Sequence, residues 1–393
     1  MEKERSFPLP PQVEAVLERL ERAGYPAYAV GGCVRDVLRG ETVHDWDLCS
    51  AASPQQVMEL FADGRVLPTG VQHGTVTLLQ QGEAFEVTMF RREGDYDGRR
   101  PGIVLPARTI QEDLARRDFT VNAMAYSPYR GFEDPCGGRR DLEAGLLRAV
   151  GEPEERFRED ALRILRGLRF SACFGYKIEE KTAGAMVSQA AGLGKLSGER
   201  VWQELWKLLA GDFAGEVLVR GQEILRQLRP GWESLNLSAE DGLLFPQLDG
   251  PWGRLALLLS RLEEPKAALL ELRCPAEGKK RAARLLRQGK SVGHGPFPAW
   301  LGEFPRELRR EDARSALILS GNQGKMGEMA EILDSGLPLT VGELSINGAQ
   351  LQQLGVPPGP ALGRLLRELL ECVWRGQADN EAGALAALAK ELL

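Results

Sequence analysis

Histidine is scarce in this chain: His44, His73 and His294 are the only three in 393 residues, and only His44 has an aspartate beside it. A phosphohydrolase centre built from several His-Asp clusters is therefore excluded. Cysteine offers no framework either. Cys33, Cys49, Cys136, Cys173, Cys274 and Cys372 are scattered without a CxxC pair, so neither a zinc cage nor a disulfide scaffold is written into the chain, and buried thiols are expected. No stretch reaches the roughly 18 to 20 apolar residues of a membrane span. The opening MEKERSFPLPPQ also lacks the apolar run of a signal peptide, which places the expectation in the cytoplasm. Internal repeats and low-complexity tracts are missing as well, which excludes a solenoid. Positive charge is not in excess. The net charge of −6 argues against a chain coated in nucleic acid, although phosphate affinity depends on local patches more than on the sum.

What the chain does contain is ample apolar material, 43% hydrophobic against 27% charged, over a length that exceeds a single core. Two to four domains are expected. Val13, Val16, Leu17 and Leu20 recur at helical spacing after Pro10-Pro11 and before Gly24, predicting a first helix. Tyr25 to Val30, Thr75 to Leu79 and Ala84 to Phe90 read as strands, so the first 145 or so residues are mixed α and β. After Gly151 apolar residues recur every three or four positions, and the remainder is expected to be helical. Breaks fall at Gly192 to Gly198, Pro230-Gly231, Gly250 to Gly253 and Gly293 to Pro298. A last helix after Pro357-Pro358-Gly359-Pro360 presents Leu362, Leu365, Leu366, Leu369, Leu370 and Val373 on one face.

The densest local signal is AVGGCVRDVLRGETVHDWDL. A strand enters Gly31-Gly32, a helix carrying Arg35 and Asp36 follows, and a second strand is expected to carry Asp45 and Asp47. Acids two apart on a strand share a face. Such a pair can hold Mg²⁺, which takes few protein oxygens and completes its shell with water and phosphates. Paired glycines let the backbone come close to a phosphate. In AFEVTMF the alternation puts Phe85, Val87 and Met89 on one side and Glu86 on the other, where Glu86 is either a third acid beside Asp45 and Asp47 or a plain cross-strand polar residue. The run LARRDFTVNAMAY gathers Arg116, Arg117, Asp118 and Asn122, with arginine forks suited to triphosphate oxygens and Asp and Asn suited to ribose hydroxyls.

In REDALRILRGLRF, Ala161, Leu162, Leu165 and Leu168 form the expected buried side of one helix, and Asp160, Arg163 and Arg166 a polar face with Arg169 beyond. An Asp acceptor beside an Arg donor complements the edge of cytosine or adenine, each of which sets an amino donor next to a ring-nitrogen acceptor. Uracil and guanine put a carbonyl there instead, which a carboxylate repels. Finally, RCPAEGKKRAARLLRQGK holds seven basic residues and one acid, Glu277. Lys279, Lys280, Arg281, Arg284 and Arg287 form either a solvated helix face or a contact to RNA phosphates.

Taken together these strings resemble the bacterial class II tRNA nucleotidyltransferases, the CCA-adding family, which shares a superfamily with bacterial poly(A) polymerases. GGCVRD with DWD resembles motif A, RRDFTVNA motif B, DPCGGRRDL motif C, EDALRILRGLRF motif D and LSGERVWQEL motif E, in family order. SINGAQLQQLGVPPGPALGRLLREL resembles the family's C-terminal region. The resemblance implies an α+β polymerase-β-like head (1–148), then an all-helical neck (149–205), body (206–320) and tail (321–393). It implies Mg²⁺ at Asp45 and Asp47, nucleotide contacts from Gly32, Arg35 and Arg117, and a protein template of Asp160 and Arg163 supported by Arg166 and Arg169. Asp134, Gly137, Gly138 and Asp141 would form a hinge or spring. The implied substrates are tRNA, CTP and ATP, with no membrane partner and a homodimer left open.

Several rival readings remain to be separated. A poly(A) polymerase would share the head, but its further basic signature, of the kind GRRF followed by HV, is missing. CC-only relatives lack the loop that this chain keeps as RREGDYDGRRP, from Arg91 to Pro101, whereas an A-only enzyme would keep it. A silent RNA-binding protein on this fold would be expected to lose a metal acid, and both are present.

Overall fold

The computed structural model describes residues 7–80, 82–92 and 105–393. The polar loop after Arg92 falls, from residue 93 through 101, outside the described residues. The chain divides into two compact units, Met1–Leu235 and Asn236–Leu393.

The first unit opens with helix α1 (Pro11–Arg22), started by proline in its first turn and followed by Gly24 at φ +84°. Its predicted stripe of Val13, Val16, Leu17 and Leu20 is buried. Next come β1 (Ala27–Val30), α2 (Gly32–Leu38), β2 (Asp47–Ser50) and α3 (Pro54–Leu60). They are followed by β3 (Arg65–Leu67), β4 (Thr75–Gln80) and β5 (Glu83–Met89). An antiparallel pair of two-residue strands, β6 (Arg91–Arg92) and β7 (Leu105–Pro106), is followed by α4 (Ile110–Ala115), β8 (Ala125–Ser127), β9 (Gly131–Glu133) and α5 (Gly138–Glu143).

Seven strands form one sheet in the order β3-β4-β5-β2-β1-β8-β9, parallel only where β2 meets β5. Residues alternate between its faces. Ala27, Ala29, Leu48, Phe85 and Val87 pack with the stripe of α1 and with Val57 and Phe61. Tyr28, Val30, Cys49 and Phe90 pack on the other face with Ile110 and Leu114 of α4. By the same alternation Asp47 and Glu86 lie on the α4 face.

The rest of the first unit is nearly all helix: α6 (Pro153–Glu159), α7 (Leu162–Phe174), α8 (Glu180–Ser188), α9 (Gly198–Ala210) and α10 (Ala214–Arg220). In the second unit, helices Gly250–Ser260, Ala276–Ser291 and Arg309–Leu319 contribute to a core of Ala256, Leu285, Trp300, Phe304 and Leu317. A further cluster gathers Leu351, Leu365, Leu369, Leu370, Val373 and Leu385 around the helix Pro360–Trp374. Among the described residues no helix is long and apolar enough to cross a membrane.

Three sequence expectations need correction. The helix expected through REDALRILRGLRF is two helices, because Asp160 is extended (φ −146°, ψ 102°) and its Oδ1 accepts the Leu162 N–H at 3.0 Å. A short acidic side chain that bonds the backbone two residues on competes with helix continuation, so Asp160 ends α6 and primes α7. Asp45 lies ahead of strand β2, whose first residue is Asp47; β1 leaves the pairing to turn at Gly31 into α2. Of the six cysteines, Cys33, Cys49, Cys274 and Cys372 are buried, whereas Cys136 and Cys173 are only partly so.

Candidate active site

Gly31 is the pivot of the site. It closes β1 at φ +80° and ψ −124°, a conformation side chains rarely adopt, and an added Cβ would come within 2.7 Å of Arg117 Nη1. Glycine therefore serves both the turn into α2 and the close passage of Arg117. Gly32 begins α2, and Arg35 one turn on is buried. The Arg35 Nε and Nη2 donate to the Asp36 carboxylate, each at 2.9 Å, while Nη1 donates to Asn122 Oδ1 at 2.6 Å.

From there the polar contacts continue without a gap. Asn122 Nδ2 donates to Asp118 Oδ1 at 3.1 Å, and Arg166 Nε donates to Asp118 Oδ2 at 2.6 Å. Burial pushes the Asp118 carboxyl up, but the Arg166 guanidinium, the Asn122 amide and the Phe119 N–H outweigh it and hold it at about 2. Beside this pair, Arg169 Nε lies 3.2 Å from Glu204 Oε2 on α9. The guanidiniums of Arg166 and Arg169 stand 5.4 and 4.3 Å from the Phe170 ring centroid, and that of Arg35 stands 5.4 Å from the same ring.

On the sheet, Asp47 of β2 stands in register with Glu86 of β5. Burial raises the Asp47 carboxyl, Arg117 opposes it, and the nearby charges of Glu86 and Asp45 raise it further. Asp47 and Glu86 thus stand side by side on the sheet with Asp45 two residues ahead of Asp47, a set of acids that suits a hard cation taking oxygen ligands. Among the described residues no three His, Cys, Asp or Glu side chains converge into a ready cage for a metal. An open pair of carboxylates still fits Mg²⁺, which leaves several positions to water and phosphate.

The residues expected to read the base are placed in company. Asp160 Oδ2 accepts from Arg200 Nη2 at 2.7 Å, and Asp160 lines a cleft of about 760 Å³ with Arg158, Gln189, Lys195, Ser197 and Arg200. Arg163 Nη1 donates to Glu159 Oε2 at 2.6 Å and to the Arg156 carbonyl at 3.0 Å, while its Nη2 donates to the Arg116 carbonyl at 3.2 Å. In the motif C string, Asp134 accepts the N–H groups of Gly138 and Arg139 at the start of α5. Asp141 is buried and accepts from Thr120 Oγ1 at 2.8 Å and Arg148 Nε at 3.0 Å.

The sequence model described as "Poly A polymerase head domain" matches residues 27–148, and that described as "Probable RNA and SrmB- binding site of polymerase A" matches 175–233. The CCA-adding enzyme of Leuconostoc mesenteroides is 36% identical over 385 residues, covering 96% of this chain and 95% of its own. The chain belongs to the CCA-adding enzyme family. The CCA-adding enzyme of Geobacillus stearothermophilus is likewise 36% identical over 395 residues, covering 95% of each chain. A crystal structure of the Bacillus stearothermophilus CCA-adding enzyme in complex with CTP superposes with a TM-score of 0.79 at 31% identity, covering 98% of both chains. The Thermotoga maritima CCA-adding enzyme complexed with tRNA shares the fold, with a TM-score of 0.76 at 21% identity over 98% of this chain and 97% of that one.

Within this CCA-adding fold the structure also brings in residues that the motifs alone left out. Asp113, on α4, accepts from both Arg116 and Arg117. Its spacing of three and four residues from those arginines is the readable signal. Arg200 and Glu204 lie inside the motif E string, but their partners Asp160 and Arg169 are 40 and 35 residues away, so no local spacing announces them.

Proposed function

We propose that the chain adds C, C and A to the 3′ end of tRNA from CTP and ATP, releasing pyrophosphate. The observation that carries this reading is the register of Asp47 with Glu86, beside Asp45 and within the field of Arg117, at the mouth of the Gly31-Gly32 turn. Asp45 and Asp47 would hold Mg²⁺, with Glu86 as a third acid. When bound, the ions would lower the pKa of the attacking RNA hydroxyl and offset charge on the leaving group. The rest is positioning and electrostatics. Gly31-Gly32 let the backbone approach the triphosphate, and Arg117 and Arg35 meet its oxygens. The Asn122–Asp118–Arg166 contacts fix Arg35 from behind.

Base choice falls to Asp160 and Arg163. A carboxylate oxygen accepts more than one hydrogen bond, so Asp160 Oδ2 can take the amino group of C or A while Arg200 orients it. Arg163, steadied by Glu159 and two carbonyls, donates to the ring nitrogen. Arg166 and Arg169 support the nucleotide. In this reading residues 1–148 are the catalytic head, 149–205 the neck that selects the nucleotide, 206–320 the body and 321–393 the tail that binds tRNA.

The test is incubation with tRNA lacking its last three nucleotides, supplied with each triphosphate singly and together. CTP alone should extend by two and CTP with ATP by three. Asp45→Ala and Asp47→Ala should each lose about three orders of magnitude of both additions. Addition of A only, CC only or a long A tail would replace the reading with that activity, and incorporation by the alanine variants at the wild-type rate would remove the carboxylates from it.

A further inference from the structure

Asp113 is 1% exposed, and its two oxygens carry five hydrogen bonds. Oδ1 accepts from Arg116 Nε and Nη2 at 3.0 and 2.7 Å and from the Arg91 N–H at 3.0 Å. Oδ2 accepts from Arg117 Nε and Nη2 at 3.3 and 3.0 Å. One buried carboxylate thus ties down two guanidiniums of motif B and the first residue of β6, two residues beyond the strand that carries Glu86. The third guanidinium nearby, Arg91, is pushed down to about 10, first by burial and then by the charge of Arg116.

Arg117 has a second acid within its field. Gly31, against which its guanidinium lies, follows the end of β1, and β1 pairs Ala29 with Leu48, the chain neighbour of Asp47, yet among the described residues no hydrogen bond or ion pair joins Arg117 to Asp47. The Arg117 guanidinium is instead held against Gly31, where an added Cβ would lie 2.7 Å from Nη1. An arginine released from Asp113 would have Asp47 as an alternative partner, because a half-buried guanidinium left without its anion is an uncompensated charge.

We propose that Asp113 is a positioning residue that holds Arg117 off Asp47, leaving Asp47 to a divalent cation and Arg117 to the phosphates. The inference rests on the reading of Asp45 and Asp47 as the cation site. Asp113 touches neither cation nor nucleotide; it acts through Arg117, as outer partners do in metal sites.

The experiment measures Mn²⁺ binding to the full chain by electron paramagnetic resonance, without nucleotide or turnover, alongside triphosphate affinity. Asp113→Asn keeps the shape and removes the charge, and should weaken Mn²⁺ by about 10- to 100-fold. The double variant Asp113→Asn with Arg117→Gln removes one charge of each sign from the same ion pair, so it serves even where the single variant does not fold. It should bind Mn²⁺ at least as well as the wild type, while its triphosphate affinity falls. Wild-type Mn²⁺ affinity in Asp113→Asn, or weakened affinity in the double variant, overturns the proposal. If Asp45→Ala and the wild type alike bind no Mn²⁺, the cation-site reading itself fails. Binding that is intact and indifferent to residue 113 removes only the role of Asp113.

Discussion

At Asp118 a buried carboxylate is kept ionised by Arg166, Asn122 and its neighbour's N–H, and this has a measurable pH signature. The folded pKa of about 2 lies below the ordinary value of 3.8. Because the folded value is depressed, the stabilisation is fully present above the unfolded pKa and is lost as pH falls through the folded one. The shift corresponds to about 2 kcal/mol at neutral pH. Urea unfolding of the wild type and Asp118→Asn should show the wild type ahead by at least that amount at neutral pH. The gap should narrow by about 2 kcal/mol between pH of about 4 and about 2. A gap that is flat across this window would mean that Asp118 is not ionised in the fold. The motif strings revealed this residue's type and company, but not its depth. Burial of Asp118 follows from α7 delivering Arg166 across 48 residues of sequence, a contact that no local pattern encodes.

At the scale of elements, the glycine pair opening α5 shows how one position differs from its neighbour. Gly137 has φ +72° with nothing within 4 Å of an added Cβ, so alanine there meets only backbone strain of about 1 kcal/mol. Gly138 has ordinary helical backbone, but its Cβ would lie 2.1 Å from the Thr120 carbonyl oxygen. Neither side of that contact is a flexible side chain, so α5 must move away from the segment that carries Asp118 and Asn122. Gly138→Ala should therefore cost roughly 2 to 3 kcal/mol in chemical denaturation and reduce nucleotide addition more than Gly137→Ala does. Equal costs for the two variants would show that α5 yields without strain. The apolar periodicity made α1, β4, β5 and the helix Pro360–Trp374 legible, since each buries the face its sequence repeats. It failed at Asp160, because a break made by one side chain bonding its own backbone leaves the surrounding helical period intact.

For the molecule as a whole, the net charge of −6 means that any grip on an RNA backbone depends on a local surface. The helix Ala276–Ser291 carries the basic run, but the structure divides it. Arg281 turns inward to Asp312 at 2.7 Å and Glu311 at 3.0 Å, so it is not a free surface cation as the sequence suggested. Lys280, Arg284 and Arg287 recur at four- and three-residue spacing along one side of the helix, with Lys280 paired to the exposed Glu277. Two kinds of outcome follow from this division. Neutralising Lys280, Arg284 and Arg287 together should weaken tRNA binding and make the log-affinity against log-salt slope shallower by about 2 to 3, without changing which nucleotide is added. Arg281→Gln should act on stability instead, by about 3 kcal/mol, because it strands Asp312, which is 1% exposed, without its cation. Filter binding across a salt series, paired with urea denaturation, separates the two. An unchanged slope in the triple variant would leave that helix face merely solvated. A slope that falls in Arg281→Gln with stability intact would mean that Arg281 leaves Asp312 to meet the RNA.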